Sequence, residues 1–300
     1  MAAISVRDLR KDYGAVRAVD GLTFEVTQGE VYALLGENGA GKSTTVEILE
    51  GHRTRSAGDV LVLGEDPGRA GRSWRDRIGI VLQSSGVEHE LTVREAVTIY
   101  GSCYSARRTV TDVIERVGLA PQLDQRVGHL SGGQRRRLDL ALGIVGSPAL
   151  LFLDEPTTGF DPAARRQAWD LVRDLCSEGT TVLLTTHYLD EAEHLADRVG
   201  VLAAGRLVAE GSPEALIGGS GTTVVRFDVP PGTSAGELAA VLPAGVSVGD
   251  RVEFTTSTPT AAVHAVTGWA IARGVELTGL VVTRPSLEDV YLQLAGQDAP

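Results

Sequence analysis

Val31-Tyr-Ala-Leu-Leu35 runs directly into Gly36-Glu-Asn-Gly-Ala-Gly-Lys-Ser-Thr44, an apolar pentad followed by a loop of the pattern GxxxxGK[ST]. The pentad reads as a buried strand and Ser43 to Leu49 as a helix. Strand, glycine loop and helix in that order open an α/β unit built to hold phosphate. Glycines let the backbone turn so that successive N–H groups, with the helix N-terminus, surround a polyphosphate. Lys42 would bring a compact charge to the outer phosphates, and the Ser43 hydroxyl suits Mg²⁺. The 28 basic residues comprise 26 arginines and two lysines, Lys11 and Lys42, so a lysine at this position answers a need for a point charge in a narrow space. A glycine-rich turn before an ordinary helix is the bland alternative; the complete motif between strand and helix argues against it.

Outward from the loop, Ile4 to Val6 and Leu22 to Val26 read as short strands. The apolar runs Ile78 to Leu82, Leu150 to Leu153, Thr181 to Thr185 and Val199 to Leu202 read as buried ones. Helical stretches at Arg94 to Tyr100, Gln134 to Val145 and Pro162 to Cys176 lie between some of them, which gives a mixed α/β core with some antiparallel strands. The run ending at Leu153 leads into Asp154-Glu155-Pro156. Ligands in open α/β sheets bind at the carboxyl ends of strands, so Asp154 would hold Mg²⁺ and Glu155 would polarise a water beside the terminal phosphate. His187 ends another strand and could donate to the same phosphate, although a lone histidine is as readily structural. Ser131 is a good N-cap, and Ser131-Gly-Gly-Gln134 leaves N–H groups open to an anion or simply starts a capped helix.

The chain of 300 residues is long enough for two domains, and its 43% hydrophobic and 22% charged residues are those of a folded protein. A net charge of −11 is the wrong sign for gripping nucleic acid through a basic face. Cys103 and Cys176 stand far apart without a metal-ligand pattern, consistent with a reducing compartment. No apolar leader and no run of about 18 apolar residues is expected, so any membrane role is borrowed from a partner. Gly218-Gly-Ser-Gly221 reads as a linker, dividing the chain into 1–219 and 220–300. The tail follows the order strand (223–229), helix (234–242), strand pair (246–256), helix (260–272), strand (275–282), the βαββαβ succession of a ferredoxin-like α+β unit.

GENGAGKST at 36–44, LSGGQ at 130–134 and LLFLDEP at 150–156, in this order, resemble the Walker A, signature and Walker B elements of ATP-binding cassette (ABC) ATPases. The resemblance covers about residues 4 to 217. It implies a P-loop NTPase cassette with a mixed-sheet core, an antiparallel β subdomain and a helical signature subdomain. It implies that Gly36, Glu37, Asn38, Gly39, Ala40, Gly41, Lys42, Ser43 and Thr44 hold ATP while Tyr13, otherwise a surface aromatic, stacks on adenine. Glu155 would be the catalytic base, His187 the switch histidine, and Gln83 the glutamine that joins Ser43 and Asp154 at Mg²⁺. Ser131, Gly132, Gly133 and Gln134 would complete the ATP site of a second cassette, with Asp161 carrying communication between the two. Thr158-Gly-Phe-Asp161 departs from the usual Ser-Gly-Leu-Asp but keeps the aspartate.

Ile80-Val-Leu-Gln-Ser-Ser-Gly86 and Leu287-Glu-Asp-Val-Tyr-Leu292 resemble the ATPases of ABC-2-type exporters in the daunorubicin-resistance-like group. That implies a cytoplasmic ATPase, paired with itself or a sister cassette, bound to the membrane only through a separate permease and serving efflux of a drug or other hydrophobic compound. A soluble cassette ATPase of translation or DNA repair is the alternative, disfavoured because such chains usually carry two cassettes or a long coiled-coil insertion. A regulatory module without turnover is disfavoured by the presence of both Glu155 and His187.

Overall fold

The computed structural model describes residues 1–81, 86–218, 221–243, 245–284 and 286–291. They form two compact units, Met1–Pro213 and Glu214–Pro300, so the division falls slightly before the glycine-rich linker.

The first unit opens with a hairpin of β1 (Ala2–Tyr13) and β2 (Val16–Thr27), both longer than the short strands expected from alternation. The reason is a bulge: between the pairs Val6↔Phe24 and Leu9↔Leu22, β1 has one residue more than β2, and Asp8 takes φ 47°. The bulge resets the period-two pattern and hides the second half of the strand. Beyond it, Arg10, Lys11 and Asp12 pair with Asp20, Val19 and Arg17. Next come β3 (Val31–Leu35), α1 (Lys42–Leu49), and β4 (Ala57–Val62), which closes the sheet β2-β1-β4. After α2 (Arg72–Arg75) and β5 (Ile78–Val81) lie α3 (Val93–Gly101), α4 (Val110–Arg116) and α5 (Gly132–Ile144), which pack together as a helical layer. Then follow β6 (Leu150–Asp154), α6 (Pro162–Ser177), β7 (Thr181–Thr186), α7 (Leu189–Leu195), β8 (Arg198–Ala203) and β9 (Arg206–Gly211).

The central sheet has the order β5-β6-β7-β3-β8-β9, parallel from β5 to β8 with β9 antiparallel at the edge. Its inner strands are buried on both faces, which is why they appear in sequence as unbroken apolar runs. The neighbours β6, β7 and β3 end at Asp154, Thr186 and Leu35. Their three following loops therefore emerge side by side.

In the second unit α8 (Pro213–Gly218) is followed by β10 (Thr223–Asp228), α9 (Ala235–Ala239), β11 (Arg251–Thr256), α10 (Pro259–Arg273) and β12 (Val281–Thr283). Among the described residues the sheet has three strands, β11-β10-β12, with both neighbours antiparallel to β10. The expected ferredoxin-like order is thereby corrected. Val246 and Val248 pack against the core of Val225, Phe227, Val252 and Phe254 without forming a strand, because the chain turns at Gly249-Asp250 and only Arg251–Thr256 reaches β10. No described helix is long and apolar enough to cross a membrane.

Candidate functional site

The loop after β3 wraps closely enough that only glycine fits at its end. Gly41 takes φ 101°, and a Cβ there would stand 2.5 Å from the Ala18 carbonyl oxygen. Both facts require the absent side chain. Lys42 begins α1 with its side chain buried, its Nζ donating to the Gly36 carbonyl at 2.6 Å and the Glu37 carbonyl at 2.9 Å. Burial pulls the ammonium below the usual lysine range, opposed by the negative charges of Glu155, Asp154 and Glu37. A buried cation held by carbonyls rather than by a carboxylate is poised to exchange them for a stronger anion. Ser43 is exposed, while Glu37, Asn38 and Gly39 form the open lip of the loop.

At the end of β6 the chain turns sharply. Glu155 takes φ 47°, a left-handed conformation that costs a non-glycine residue about 1–3 kcal/mol and persists only where surroundings impose it. Its N–H donates to the Thr185 carbonyl at 3.0 Å, and Thr158 Oγ1 donates to its carboxylate at 3.3 Å. The other carboxylate oxygen lies 2.8 Å from His187 Nδ1, at the end of β7. The Glu155 side chain is 13% exposed and that of His187 41%, so the pair opens to one side. Asp154 accepts a hydrogen bond from the Thr185 hydroxyl. The structure thus brings Lys42, Asp154, Glu155 and His187 together from three adjacent strand ends. Hard oxygen donors at Asp154 and exposed Ser43 fit Mg²⁺. No group of three or more His, Cys, Asp or Glu forms a metal cluster among the described residues.

The serine and glutamine of the second glycine motif cap α5 reciprocally: Gln134 N–H donates to Ser131 Oγ at 3.2 Å and Ser131 N–H to Gln134 Oε1 at 2.9 Å. Among the described residues, a Cβ at Gly132 or Gly133 would meet nothing within 4 Å. Crowding by the described residues therefore does not explain these glycines. Asp161 caps α6, accepting from the N–H groups of Ala163 and Ala164 at 2.9 Å, and the bonds from Ala164 and Ala163 hold its carboxyl below the usual range. Phe160 is buried, so the departure from leucine is absorbed inside the unit. Tyr13 ends β1, 40% exposed, with Lys11 Nζ 5.0 Å and the Arg53 guanidinium 5.3 Å from its ring. Gln83 lies outside the described residues.

Two participants escaped the sequence reading. Thr185, which holds both Asp154 and Glu155, looks like one more residue of a β-branched strand. Arg136, on α5, is buried and donates to the carbonyls of Asp154, Glu155 and Pro156. The available signal was a charge, Arg136 with Asp139 three residues on, on the face of α5 that also carries Leu140 and Gly143 into the interior.

Glu50, just after α1, is also buried, and burial followed by the charges of Asp154 and Glu47 pushes its carboxyl up to about 8. The folded state then holds a proton that the unfolded state has released above its ordinary value near 4.5. Stability should fall as pH rises through that window and level off above it. Glu50→Gln is expected to raise the melting temperature by several degrees above about pH 8 and to change it little near pH 5. Thermal melts of both proteins across that range check this; equal shifts at the two ends would contradict it.

The ABC transporter family matches residues 19–158, and the C-terminal domain of ABC transporter domain-containing protein-like chains matches residues 223–286. The chain is 39% identical to a daunorubicin resistance ATP-binding protein of Streptomyces coeruleorubidus over 305 residues, 99% of this chain and 96% of that one. It is 40% identical to the Nod factor export ATP-binding protein I of Rhizobium sp. (strain N33) over 307 residues, 99% and 98% of the two chains. A solved structure of the ATP binding subunit of an ABC transporter matches with a TM-score of 0.68 at 26% identity, over 79% of this chain and 98% of that one.

Proposed function

The chain belongs to the ABC transporter family and is an ATPase; from that premise we propose that it is the motor of an exporter, driving a separate permease of the ABC-2 type. The observation that carries the reading is the convergence of Lys42, Asp154, Glu155 and His187 at three neighbouring strand ends, together with signature glycines that no described residue of their own chain crowds. A second cassette supplies what the glycines await: Ser131, Gly132, Gly133 and Gln134 close over its ATP, and two cassettes form two sites. The names of the drug-resistance and Nod-factor-export relatives favour efflux, of a drug or another hydrophobic compound. The same relatives favour this over a soluble ATPase of translation or repair. The protein works at the cytoplasmic face of the membrane, attached through its permease.

In this mechanism ATP enters against the loop of 36–44, and Lys42 Nζ leaves the Gly36 and Glu37 carbonyls for the outer phosphate oxygens. Tyr13 stacks on adenine, with Lys11 and Arg53 giving way at one face of the ring. Ser43 and Asp154, with Gln83 on the family resemblance alone, would hold Mg²⁺, which would supply charge neutralisation at the outer phosphates. Glu155 takes the proton of a water that attacks the γ-phosphorus while the bond to the bridging oxygen breaks, yielding ADP and phosphate. His187 orients that carboxylate and can donate to a γ oxygen. Binding closes the pair and product release reopens it, which moves the permease.

The test is recovery of the Glu155→Gln protein with Mg-ATP from native membranes. Co-purification of a six-span permease is expected; recovery with ribosomes or DNA and no membrane protein would overturn the exporter reading.

A further inference from the structure

Arg136 sits about one turn into α5, two residues beyond Gln134 of the signature. Its guanidinium donates to three consecutive carbonyls of the turn that carries the base: Asp154 at 2.6 Å, Glu155 at 2.8 Å and Pro156 at 3.2 Å. The residue is 6% exposed, and Asp139, its acidic neighbour on the same helix, lies 3.9 Å away. Burial pulls the guanidinium below its usual value, against the raising effect of Asp139, Asp154, Glu155 and Glu191. A desolvated cation is spent here on backbone oxygens. Those oxygens belong to the last residue of β6, still paired with Thr185, and to the two residues of the turn after it, where Glu155 takes φ 47°. A planar guanidinium offers five N–H donors in a fixed fork, so it holds three carbonyls of one turn in set directions, which the freely rotating ammonium of a lysine or the two donors of an amide do not.

We propose that Arg136 is a positioning residue for hydrolysis: it fixes the backbone of Glu155, and so aims its carboxylate, and it ties that aim to the helix that carries the signature of the same chain. The inference rests on the proposed pairing of cassettes. In such a pair the signature of one chain lies over the ATP held by its partner, while Glu155 of that chain serves its own ATP. Arg136 therefore joins a contact made in one site to the base acting in the other. Small displacements suffice, since about 1 Å of misplacement can cost a hundredfold in rate.

The experiment compares full-length Arg136→Gln and Arg136→Lys with the unsubstituted protein in steady-state hydrolysis, fluorescent ATP-analogue binding, Hill coefficient and melting temperature. Arg136→Gln is expected to lower kcat by about tenfold to a hundredfold, to leave nucleotide affinity within about twofold, and to bring the Hill coefficient toward one. Arg136→Lys, which keeps the charge and loses the fork, should retain the fold with an intermediate kcat. The proposal is overturned if kcat stays within about twofold in both variants, or if affinity and melting temperature fall in step with kcat. Should Arg136→Gln fail to fold, the lysine variant decides alone. Absence of cooperativity in the unsubstituted protein would strike the pairing of sites; a selective kcat loss in the variants would still assign Arg136 to the aim of Glu155.

Discussion

Glu155→Gln should abolish most turnover, lowering kcat by about 10²–10⁴-fold while leaving ATP affinity nearly unchanged. The geometry separates the two effects. Glu155 does not belong to the phosphate cradle: its backbone is held by Thr185 and Arg136, and its carboxylate meets His187 at 2.8 Å and Thr158 at 3.3 Å. Glutamine has the same length and can keep those neighbours, its amide oxygen accepting from one and its amide nitrogen donating to the other. What it loses is the capacity to take a proton from water. An ATP that binds and is not hydrolysed leaves the pair of cassettes closed, so the variant should elute as a dimer in Mg-ATP and as a smaller species without nucleotide. Phosphate-release kinetics, analogue binding and size-exclusion chromatography read the three effects separately. Hydrolysis close to that of the unsubstituted protein would remove Glu155 from the role of base and leave His187 or a solvent chain in its place.

The parts of this site that were readable in the sequence are those whose chemistry is local. A loop that must turn on itself against the Ala18 carbonyl leaves a run of glycines, and a phosphate charge needed at one point leaves a lysine in a chain that otherwise uses arginine. Acids after an apolar strand are legible for the same reason: strand, turn and carboxylate are consecutive. Contacts made between distant segments leave no such mark. Arg136 lies 18 residues from Asp154 and is one arginine in a run of three, so only the buried face of α5 distinguishes it. The first hairpin was half hidden because the bulge at Asp8 shifts its alternation, and charged residues fill its far end. In the tail, valines at 246 and 248 imitate a strand by composition, yet their role is to cover a sheet that β10, β11 and β12 already form. Hydrophobic alternation reports burial on one face and says nothing of whether the backbone has a partner to pair with.

Lys42→Ala is expected to weaken ATP binding on the order of 100-fold or more, since at least two charge-assisted hydrogen bonds to phosphate are lost at about 1.5–3 kcal/mol each. The free protein already shows the competing state: Nζ rests on the Gly36 and Glu37 carbonyls at 2.6 and 2.9 Å, neutral acceptors that a polyphosphate readily replaces. Because the ammonium is buried, its removal from the nucleotide-free protein relieves desolvation, and the melting temperature should move little. Lys42→Arg should not restore binding, as a planar fork does not fit where the cradle closes over a buried lysine. The lowered lysine pKa adds a second signature. Between that lowered value and the ordinary lysine range, the free protein has lost a proton that bound polyphosphate would restore, so binding takes up a proton there. ATP affinity should accordingly fall as pH rises through that window, and the slope should vanish in Lys42→Ala. Analogue titrations at several pH values, on both proteins, separate this from the titration of the nucleotide itself, which is common to the two. An unchanged affinity in Lys42→Ala, or a pH slope that survives the substitution, would mean that the phosphate is held by the loop backbone and the N-terminus of α1 without the lysine.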